Sequence, residues 1–488
     1  MVRNSLNMTR CSYFPSFEFE CPVNRVILSR MCPLWPFHIV ILYVLALLPI
    51  FVATVNGINL GTKLKSFNVE FNFTSESRLT EHETTIVCFE VDDIDMNIPA
   101  HEFEYDAISL DDRIIEVTSN PPVVINNEKG GYFNLTGKFI GYTEVQILRR
   151  RNESQIERSK SLRVGVKRAE RPIDKAFTGI IVLLVSIAFI NMGCSLDLKV
   201  VKETLRRPVG PMIGFVSQFA FMPLCAFVLG LLLFPKNPEL QLGLFVTGCS
   251  PGGGGSNLWT YILDGNLNLS VTMTCISTFA AFAMIPFWSF TLGRIVFSQS
   301  AIQIPYMRIV TMAAGLVVPL AVGIAIRRFL PRVADVLVKM LKPMASLFIV
   351  FIIVFGVYTN LYMFQIMGWQ VFTAGFSLPF LGYCFGAVAA YLLRRPIEDV
   401  IAISVETGLQ NTGIAIFLLR FTLPQPDADL NTVVPVASAI MTPLPLTIAL
   451  IILKLRAWKA KSMETEKKAP STILVAHDSI TPLTYVEA

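Results

Sequence analysis

The sequence has little charge and little histidine for its length, and both shortages narrow the range of functions. Asp, Glu, Lys and Arg make up 16% of the 488 residues, and four residues are histidine. The chain shows no Ser/His/Asp arrangement, metal-ligand spacing or nucleotide-binding motif, so we expect no catalytic residues, no cofactor and no enzyme activity. The net charge of +5 is too small to indicate a nucleic-acid-binding protein.

Paired cysteines are also lacking. The nine cysteines are scattered along the chain, and no two of them form a Cys-x-x-Cys motif. This distribution predicts neither a zinc site nor a framework of disulfide bonds.

Long apolar runs, by contrast, are abundant. Hydrophobic residues make up 53% of the chain and the mean hydropathy is +0.56, values that are typical of a polytopic membrane protein. We predict an α-helical membrane protein with nine transmembrane helices, preceded by a region of different character. The approximate bounds of the nine spans are 177–195, 211–234, 240–263, 268–292, 306–326, 344–366, 370–393, 397–419 and 431–453.

Residues 1–57 have the pattern of a targeting segment. Several arginines precede an apolar run from Phe37 to Ala53, and a small residue follows at Gly57. The run is short for a transmembrane helix, which favours a cleaved signal peptide. A signal anchor is the alternative, because the leader before the apolar run is unusually long.

Residues 58–171 predict a small β-rich domain, with a sandwich as the favoured architecture. Apolar and polar residues alternate at 84–91 and at 141–148, a period that indicates strands with one buried face. Proline and glycine turn signals stand between these strands.

Three glycosylation sequons place this domain on the extracellular or lumenal side. They begin at Asn72, Asn134 and Asn152, and clustering between a targeting segment and the first span makes chance matches less probable. Cys88 is the domain's only cysteine. We interpret it as a buried strand residue rather than a link to a second copy of the chain.

The basic residues test this orientation. With the amino terminus outside, nine spans place the carboxyl terminus in the cytoplasm. Fifteen Lys or Arg residues then fall in cytoplasmic connections and four in outside connections, namely Lys236, Arg294, Arg308 and Arg420. The transporter domain would cover 172–456, and the polar residues 457–488 predict a disordered cytoplasmic tail. The sequence does not distinguish the plasma membrane from an internal membrane.

The third predicted span contains a break. A proline and four glycines, Pro251 and Gly252 to Gly255, interrupt its apolar sequence, and Ser256 and Asn257 follow. These residues do not maintain a regular helix, and irregular backbone at membrane depth occurs only where it is buried in protein or lines a watery cavity. We therefore predict a helix break here. Glycines that only allow close packing are the less favoured alternative.

The eighth predicted span has the same construction, with Glu406 to Gly413 near its centre. Glu406 lies roughly midway between Arg395 and Arg420, hence near the bilayer midplane. A carboxylate there costs at least ~2.5 kcal/mol on insertion scales, so a functional role is the default interpretation. Two interrupted spans in corresponding halves of a membrane protein point to a transporter site.

Oxygen-bearing side chains surround both breaks. They are Ser256, Asn257, Ser270, Thr274, Glu406, Gln410 and Gln218. Neutral oxygens with one carboxylate suit a hard monovalent cation, whereas the lack of histidine and of clustered carboxylates disfavours transition metals and divalent ions. The sequence therefore predicts a sodium site.

Some of these side chains have simpler interpretations. Ser270 and Thr274 are four residues apart and share a helix face, but each could only hydrogen bond to its own helix. Gln218 could only connect two helices. Glu406 has the weakest such alternative.

Four motifs, in order along the chain, resemble the sodium/bile acid symporter family. They are Gln218 to Leu224, Gly248 to Gly253 followed by Ser256 and Asn257, Asn268 to Ser270 with Thr274, and Glu406 to Asn411. The resemblance covers roughly 176–456, and the long glycosylatable amino-terminal region is similar to the P3-protein branch. That region and the run of four glycines depart from the short-headed bile acid carriers, and the family's substrate contacts follow no motif that can be transferred.

The resemblance implies inverted repeats, two broken helices that cross, two sodium ions and alternating access between a panel and a core domain. Gly408 would belong to the second helix break. The implied ligands of one ion are Ser256, Asn257, Ser270, Thr274 and Glu406, and those of the other are Gln218, Glu406 and Gln410.

We therefore hypothesise a sodium-coupled symporter that moves amphipathic organic anions, of the bile acid or steroid conjugate class, inward. The alternative is a transporter-like receptor or scaffold whose ectodomain binds a protein partner, with little or no transport. A homodimer remains an open option in both cases.

Overall fold

The fold is known from a computed structural model. It describes residues 66–67, 69–73, 78–91, 104–118, 123–127, 130–152, 155–169, 171–195, 198–299, 306–340, 358 and 361–468. The predicted targeting segment 1–57 and most of the predicted span 344–366 lie outside these residues.

The amino-terminal part of the described chain consists of β-strands. They are β1 (Ser66–Phe67), β2 (Val69–Phe71), β3 (Arg78–Thr80), β4 (Thr84–Val91), β5 (Glu104–Ser109), β6 (Ile115–Val117), β7 (Val124–Asn127), β8 (Gly130–Gly137), β9 (Gly141–Asn152), β10 (Gln155–Ser159) and β11 (Leu162–Lys167). The two strands predicted at 84–91 and 141–148 correspond to β4 and to most of β9.

The strands form two sheets. One sheet has the order β1-β10-β9-β11-β3, with β5 also paired to β9, and the other has the order β2-β4-β8-β6, with β7 also paired to β8. One buried cluster joins Val87 and Phe133 of the second sheet to Val145 and Val164 of the first. The expected sandwich is therefore present, because each sheet places alternate apolar residues on its inner face.

Cys88 differs from its prediction, because its side chain is exposed rather than buried. Strand β4 directs Val87 and Phe89 into the core, so the period of two residues turns Cys88 to the outer face. Asn134 alternates in the same way with the buried Phe133 and Leu135. Two of the predicted sequons thus begin beside this outer face, since the Asn72 side chain accepts a hydrogen bond from the Cys88 N–H at 2.8 Å.

The rest of the described chain is helical. The helices are α1 (Pro172–Ser195), α2 (Leu198–Leu205), α3 (Val209–Val216), α4 (Met222–Leu233), α5 (Pro238–Cys249), α6 (Gly255–Ile262), α7 (Leu267–Phe290), α8 (Leu292–Gln299), α9 (Tyr306–Phe329), α10 (Leu361–Ile366), α11 (Trp369–Leu392), α12 (Ile397–Gly408), α13 (Thr412–Thr422), α14 (Asp427–Met441) and α15 (Pro443–Lys468). A π-helix, Ser217–Phe221, joins α3 to α4, and residues 331–340 are also helical.

Within the described residues, four helical stretches are long and apolar enough to cross a membrane. They are Val209–Leu233, Leu267–Val296, Trp369–Leu392 and Asp427–Leu455. Each consists largely of apolar residues, a composition that only a bilayer or a large core accommodates.

The last helix extends further than the sequence predicts. Helix α15 continues to Lys468, past residue 456 where the transporter domain was expected to end and a disordered tail to begin. Residues 457–468 contain neither glycine nor proline, and nine of the twelve are Ala, Lys, Glu or Met, which are good helix formers. The contacts within the chain place Leu446 and the residues after it in one compact unit. The β-sandwich and helices α1 to α14 belong to another unit.

Apolar clusters hold three of the four helices that flank the breaks, namely α5, α12 and α13. Leu242 of α5 is buried in one cluster with Ile414 and Leu418 of α13. Ile403 of α12 is buried in another cluster with Met273 of α7. The second break is consequently fixed from both sides by packed helices, and the first break is fixed from the side of α5.

Candidate cation-binding site

The first break separates α5 from α6. Helix α5 ends at Cys249, and Ser250 is extended, with φ −70° and ψ 155°. Gly254 is the N-cap of α6, and Gly255 is the first residue of that helix. The break thus consists of Ser250 to Gly254, and it leaves Ser256 in the first turn of a new helix.

The second break separates α12 from α13. Gly408 is the last residue of α12, and Leu409 is extended, with φ −87° and ψ 92°. Asn411 is the N-cap of α13, and its Oδ1 accepts a hydrogen bond from the Ile414 N–H at 3.2 Å. A capping asparagine of this kind starts a helix independently of the segment that precedes it.

The two breaks cross and pair with each other. Gly252 and Gln410 form an antiparallel bridge. The Gly253 N–H donates to the Leu409 carbonyl at 2.7 Å, and the Asn411 N–H donates to the Pro251 carbonyl at 2.8 Å. Each break therefore satisfies backbone groups of the other, as irregular backbone at membrane depth requires.

Only part of the glycine run is needed for this close approach. A Cβ on Gly252 would overlap Glu406 Oε1, and a Cβ on Gly253 would lie 2.7 Å from Leu409 Cδ2. A Cβ on Gly254 would meet nothing within 4 Å. The four glycines are thus unequal, and Gly252 is the one that makes room for the carboxylate.

Glu406 is the centre of the site. The residue is 2% exposed. Its Oε2 accepts hydrogen bonds from Ser256 Oγ at 2.6 Å and from Thr274 Oγ1 at 2.9 Å. Its Oε1 is buried and accepts no hydrogen bond from the described residues. One oxygen of a buried carboxylate is therefore left for another ligand.

The remaining predicted ligands of the first ion adjoin this carboxylate. Ser270 Oγ donates to Asn257 Oδ1 at 2.9 Å. Thr274 Oγ1 also lies 3.0 Å from the Ser270 carbonyl. The structure thus brings together, from α6, α7 and α12, all five side chains that the family resemblance implied for this ion.

Gln218 and Gln410 form a second group beside the first. Gln218 Nε2 donates to the Ser250 carbonyl at 2.6 Å and to Gln410 Oε1 at 2.7 Å. Gln410 Nε2 in turn donates to the Thr407 carbonyl at 2.7 Å. Gln218 Oε1 is buried and, like Glu406 Oε1, accepts no hydrogen bond from the described residues. Gln218 and Glu406 line one small cavity.

Sequence reasoning missed three features of the site. Gln218 lies within the π-helix, a deviation frequent at functional sites. Ser277 Oγ accepts from the Gly252 N–H at 3.3 Å, and Thr260 Oγ1 donates to Ser270 Oγ at 3.2 Å. The recurrence of hydroxyl residues at 270, 274 and 277, all near one face of α7, was the available signal for Ser277.

Comparison with known proteins finds similar sequences. Residues 182–367 match the sequence model described as "Sodium Bile acid symporter family". The chain is 31% identical over 263 residues to the ileal sodium/bile acid cotransporter of Cricetulus griseus, a match that covers 54% of this chain and 74% of that protein. The chain belongs to the sodium/bile acid symporter family. Members of this family are transporters rather than enzymes, so the prediction of no enzyme activity is confirmed. The family and the apolar helices also confirm the prediction of a multi-pass membrane protein.

The chain is also similar to relatives with other names. The chain is 30% identical over 260 residues to P3 protein of Mus musculus, covering 52% of this chain and 54% of that protein. It is 26% identical over 288 residues to sodium/bile acid cotransporter 5 of Rattus norvegicus, covering 59% and 66%. The chain thus spans about half the length of the P3 proteins that it matches.

Proposed function

We propose that this chain is a sodium-coupled symporter that moves amphipathic organic anions, of the bile acid or steroid conjugate class, inward by alternating access. One observation carries the proposal. Glu406 is a buried carboxylate whose Oε2 is hydrogen bonded to two hydroxyls and whose Oε1 faces Gly252 with no donor among the described residues. A bound cation would complete this coordination.

The charge balance supports a cation. The groups that hydrogen bond to Glu406 in the structure, Ser256 and Thr274, are both neutral. A buried charge is costly unless it is paired or coordinates an ion. Oxygen ligands and a single carboxylate match a hard monovalent cation.

A second ion is proposed beside Gln218. Gln218 Oε1 is a buried acceptor without a donor among the described residues, and Gln218 lines the same cavity as Glu406. Glu406 would thus be shared between the two ions, with Gln410 and the Ser250 carbonyl held nearby by the Gln218 amide.

Coupling between sodium binding and anion binding follows from the helices that supply the proposed ion ligands. The first ion would join side chains of three different elements, α6, α7 and α12. Its binding would favour the arrangement in which these helices are together, and if that arrangement also binds the organic anion, each ligand raises the affinity for the other.

The test is sodium-dependent stabilisation of the purified full chain. Thermal unfolding is followed at increasing NaCl, with KCl replacing it at constant ionic strength. A ligand that binds only the folded state raises stability with its saturation, so we expect a higher unfolding midpoint in sodium than in potassium. Uptake of a labelled bile acid conjugate into proteoliposomes, with and without a sodium gradient, then tests transport itself.

Glu406→Gln is the variant that decides the role of the carboxylate. It keeps the size of the side chain and removes its charge, so we expect the sodium response to disappear while the protein remains folded in potassium. The proposed ion site is contradicted if sodium stabilises Glu406→Gln at the same half-maximal concentration as the wild type. It is also contradicted if sodium does not stabilise the wild type.

The same proposal covers the arrangement of the whole chain. We propose nine spans with inverted repeats, an outside or lumenal amino terminus, a cytoplasmic carboxyl terminus and glycans at Asn72, Asn134 and Asn152. The bias of basic residues towards the proposed cytoplasmic loops supports this topology. We also retain the division into a targeting segment (1–57), an ectodomain (58–171) and a transporter domain that begins near 172.

A receptor or scaffold remains the second candidate function. The β-sandwich has its own buried core, which a minimal ion-coupled carrier would not need. Deletion of 58–171 tests the receptor: a cellular effect that persists without these residues contradicts it.

A further inference from the structure

Three neighbouring strands of the β-sandwich present a polar row towards the helices. Arg78 of β3 is opposite Gly165 of β11, and Gly165 is in turn opposite Tyr142 of β9. Arg163 lies two residues before Gly165 in β11, hence on the same face of the sheet. A Cβ on Gly165 would lie 2.6 Å from Tyr142 Cε1, so the glycine makes room for the tyrosine ring.

This row forms two connections to the helical region. Arg78 Nη2 lies 3.1 Å from Asp427 Oδ2, Arg78 Nη1 donates to the Gln425 carbonyl, and the Tyr142 hydroxyl donates to Asp427 Oδ1 at 2.8 Å. Arg163 donates to Glu239 Oε1, and its guanidinium lies 4.4 Å from the centroid of the Tyr142 ring. Burial and the nearby Asp427 raise the pKa of Tyr142, which keeps its hydroxyl a donor.

The acidic partners of the two arginines, Asp427 and Glu239, are both buried, so loss of either arginine would destabilise the connection. The side chain of Asp427 has no exposed surface and that of Glu239 is 9% exposed. Removing one member of a buried pair leaves an uncompensated charge, which is strongly destabilising. Ile140 of the β-domain adds apolar contact, because it belongs to the same buried cluster as Phe234 and Leu430.

The two connections attach to helices that lead to the breaks. Glu239 lies in the first turn of α5, and α5 leads directly into Ser250, whose carbonyl accepts from Gln218. Asp427 begins α14, and the short segment before it follows α13, which starts at the second break. Helices α5 and α14 touch closely, since a Cβ on Gly243 would overlap the Asn431 carbonyl.

We propose that the β-domain sets the sodium affinity of the helical region by holding the outer ends of α5 and α14, with Arg163 and Arg78 as positioning residues. This inference rests on the proposed function. Helix α5 has 12 residues and so spans ~18 Å as a rigid rod. Displacing its outer end would shift Ser250 relative to Gln218, and ion ligands tolerate shifts of only a few tenths of an ångström.

Reversal and exchange of one charged pair test this inference in the purified full chain. The sodium concentration that gives half-maximal thermal stabilisation is measured for wild type, Arg163→Glu, and the exchanged variant that combines Arg163→Glu with Glu239→Arg. We expect Arg163→Glu to raise this concentration at least tenfold and the exchange to recover most of the loss. Arg113→Glu is the matched control, because Arg113 is 88% exposed and pairs with Asp111 within the β-domain, and we expect it to leave the concentration unchanged.

The outcomes separate this inference from the proposed function. No sodium response in the wild type overturns both. A wild-type response that Arg163→Glu leaves at the same half-maximal concentration, even with a lower unfolding midpoint in potassium, overturns this inference alone. If Arg163→Glu does not fold, Arg163→Gln and Arg78→Gln replace it, with Arg163→Lys expected to retain more affinity than Arg163→Gln. Equal sodium affinity in Arg163→Gln, Arg78→Gln and the wild type also overturns it.

Discussion

In the β-sandwich the most buried side chains are apolar: Phe133, Val145 and Val164 have no exposed surface. At the crossing of the two broken helices the most buried side chains include polar ones, and Ser256 and Ser270 likewise have no exposed surface. The sandwich core needs no further partner, whereas the crossing leaves acceptor oxygens of Glu406 and Gln218 without donors among the described residues. Apolar burial stabilises a fold, and unpartnered buried polar atoms indicate a site for a ligand.

The largest expected effect lies in the sandwich core. Phe133→Ala removes a fully buried ring that packs against Phe89, with ring centroids 6.2 Å apart. We expect a loss of about 3–5 kcal/mol, the usual range for such truncations. Proteolysis of the β-domain in urea, measured on the full chain, reports the change.

Ile86→Ala is the control for this prediction, because Ile86 is in the same sheet but 58% exposed. We expect its effect to stay within about 0.5 kcal/mol. Equal sensitivity of the two variants would mean that the sandwich core is not the source of its stability.

The next effect distinguishes the glycines of the first break. Gly252→Ala places a methyl group against Glu406 Oε1, the oxygen that the proposed cation would contact. We expect the half-maximal sodium concentration for thermal stabilisation to rise at least tenfold, which corresponds to about 1.4 kcal/mol.

Gly254→Ala is the matched control, since its Cβ would have nothing within 4 Å and its φ of −57° suits alanine. We expect unchanged sodium dependence. If both alanine variants lost the response equally, flexibility of the break rather than space beside Glu406 would be the requirement.

The smallest effect concerns a surface pair of the β-domain. Arg113 hydrogen bonds to Asp111 and holds the pKa of that carboxyl below its ordinary value. Because the folded pKa is the lower one, this contribution is fully present above the unfolded value of about 3.9 and is lost as pH falls through the folded value.

We therefore expect Asp111→Asn to lower the unfolding midpoint slightly at pH 7, since exposed pairs contribute little. The difference from the wild type should shrink as the pH falls below the unfolded value of about 3.9. A difference that stayed constant as the pH fell would show that the charge of the Asp111 carboxylate is not the source of its contribution.

Local patterns predicted a large part of this protein. The alternation at 84–91 gave the bounds of β4, and Pro251 with its glycines marked the first helix break. The limits of this reasoning appear at Cys88, where the strand was correct but the face was not. Periodicity gives two faces, and only the opposite sheet decides which of them is buried.

The sequence by itself determined the elements and the chemical inventory: a β-rich domain, apolar helices, two breaks and seven oxygen-bearing side chains around them, of which a single one is a carboxylate. These follow from neighbours along the chain, whose spacing sets helix, strand and turn. The tertiary structure decided that the breaks pair through Gly252 and Gln410, that Glu406 directs one oxygen towards Gly252, and that the β-domain holds Glu239 and Asp427. These contacts join residues far apart in the chain, so they depend on the packing of whole helices and sheets, which no local pattern records.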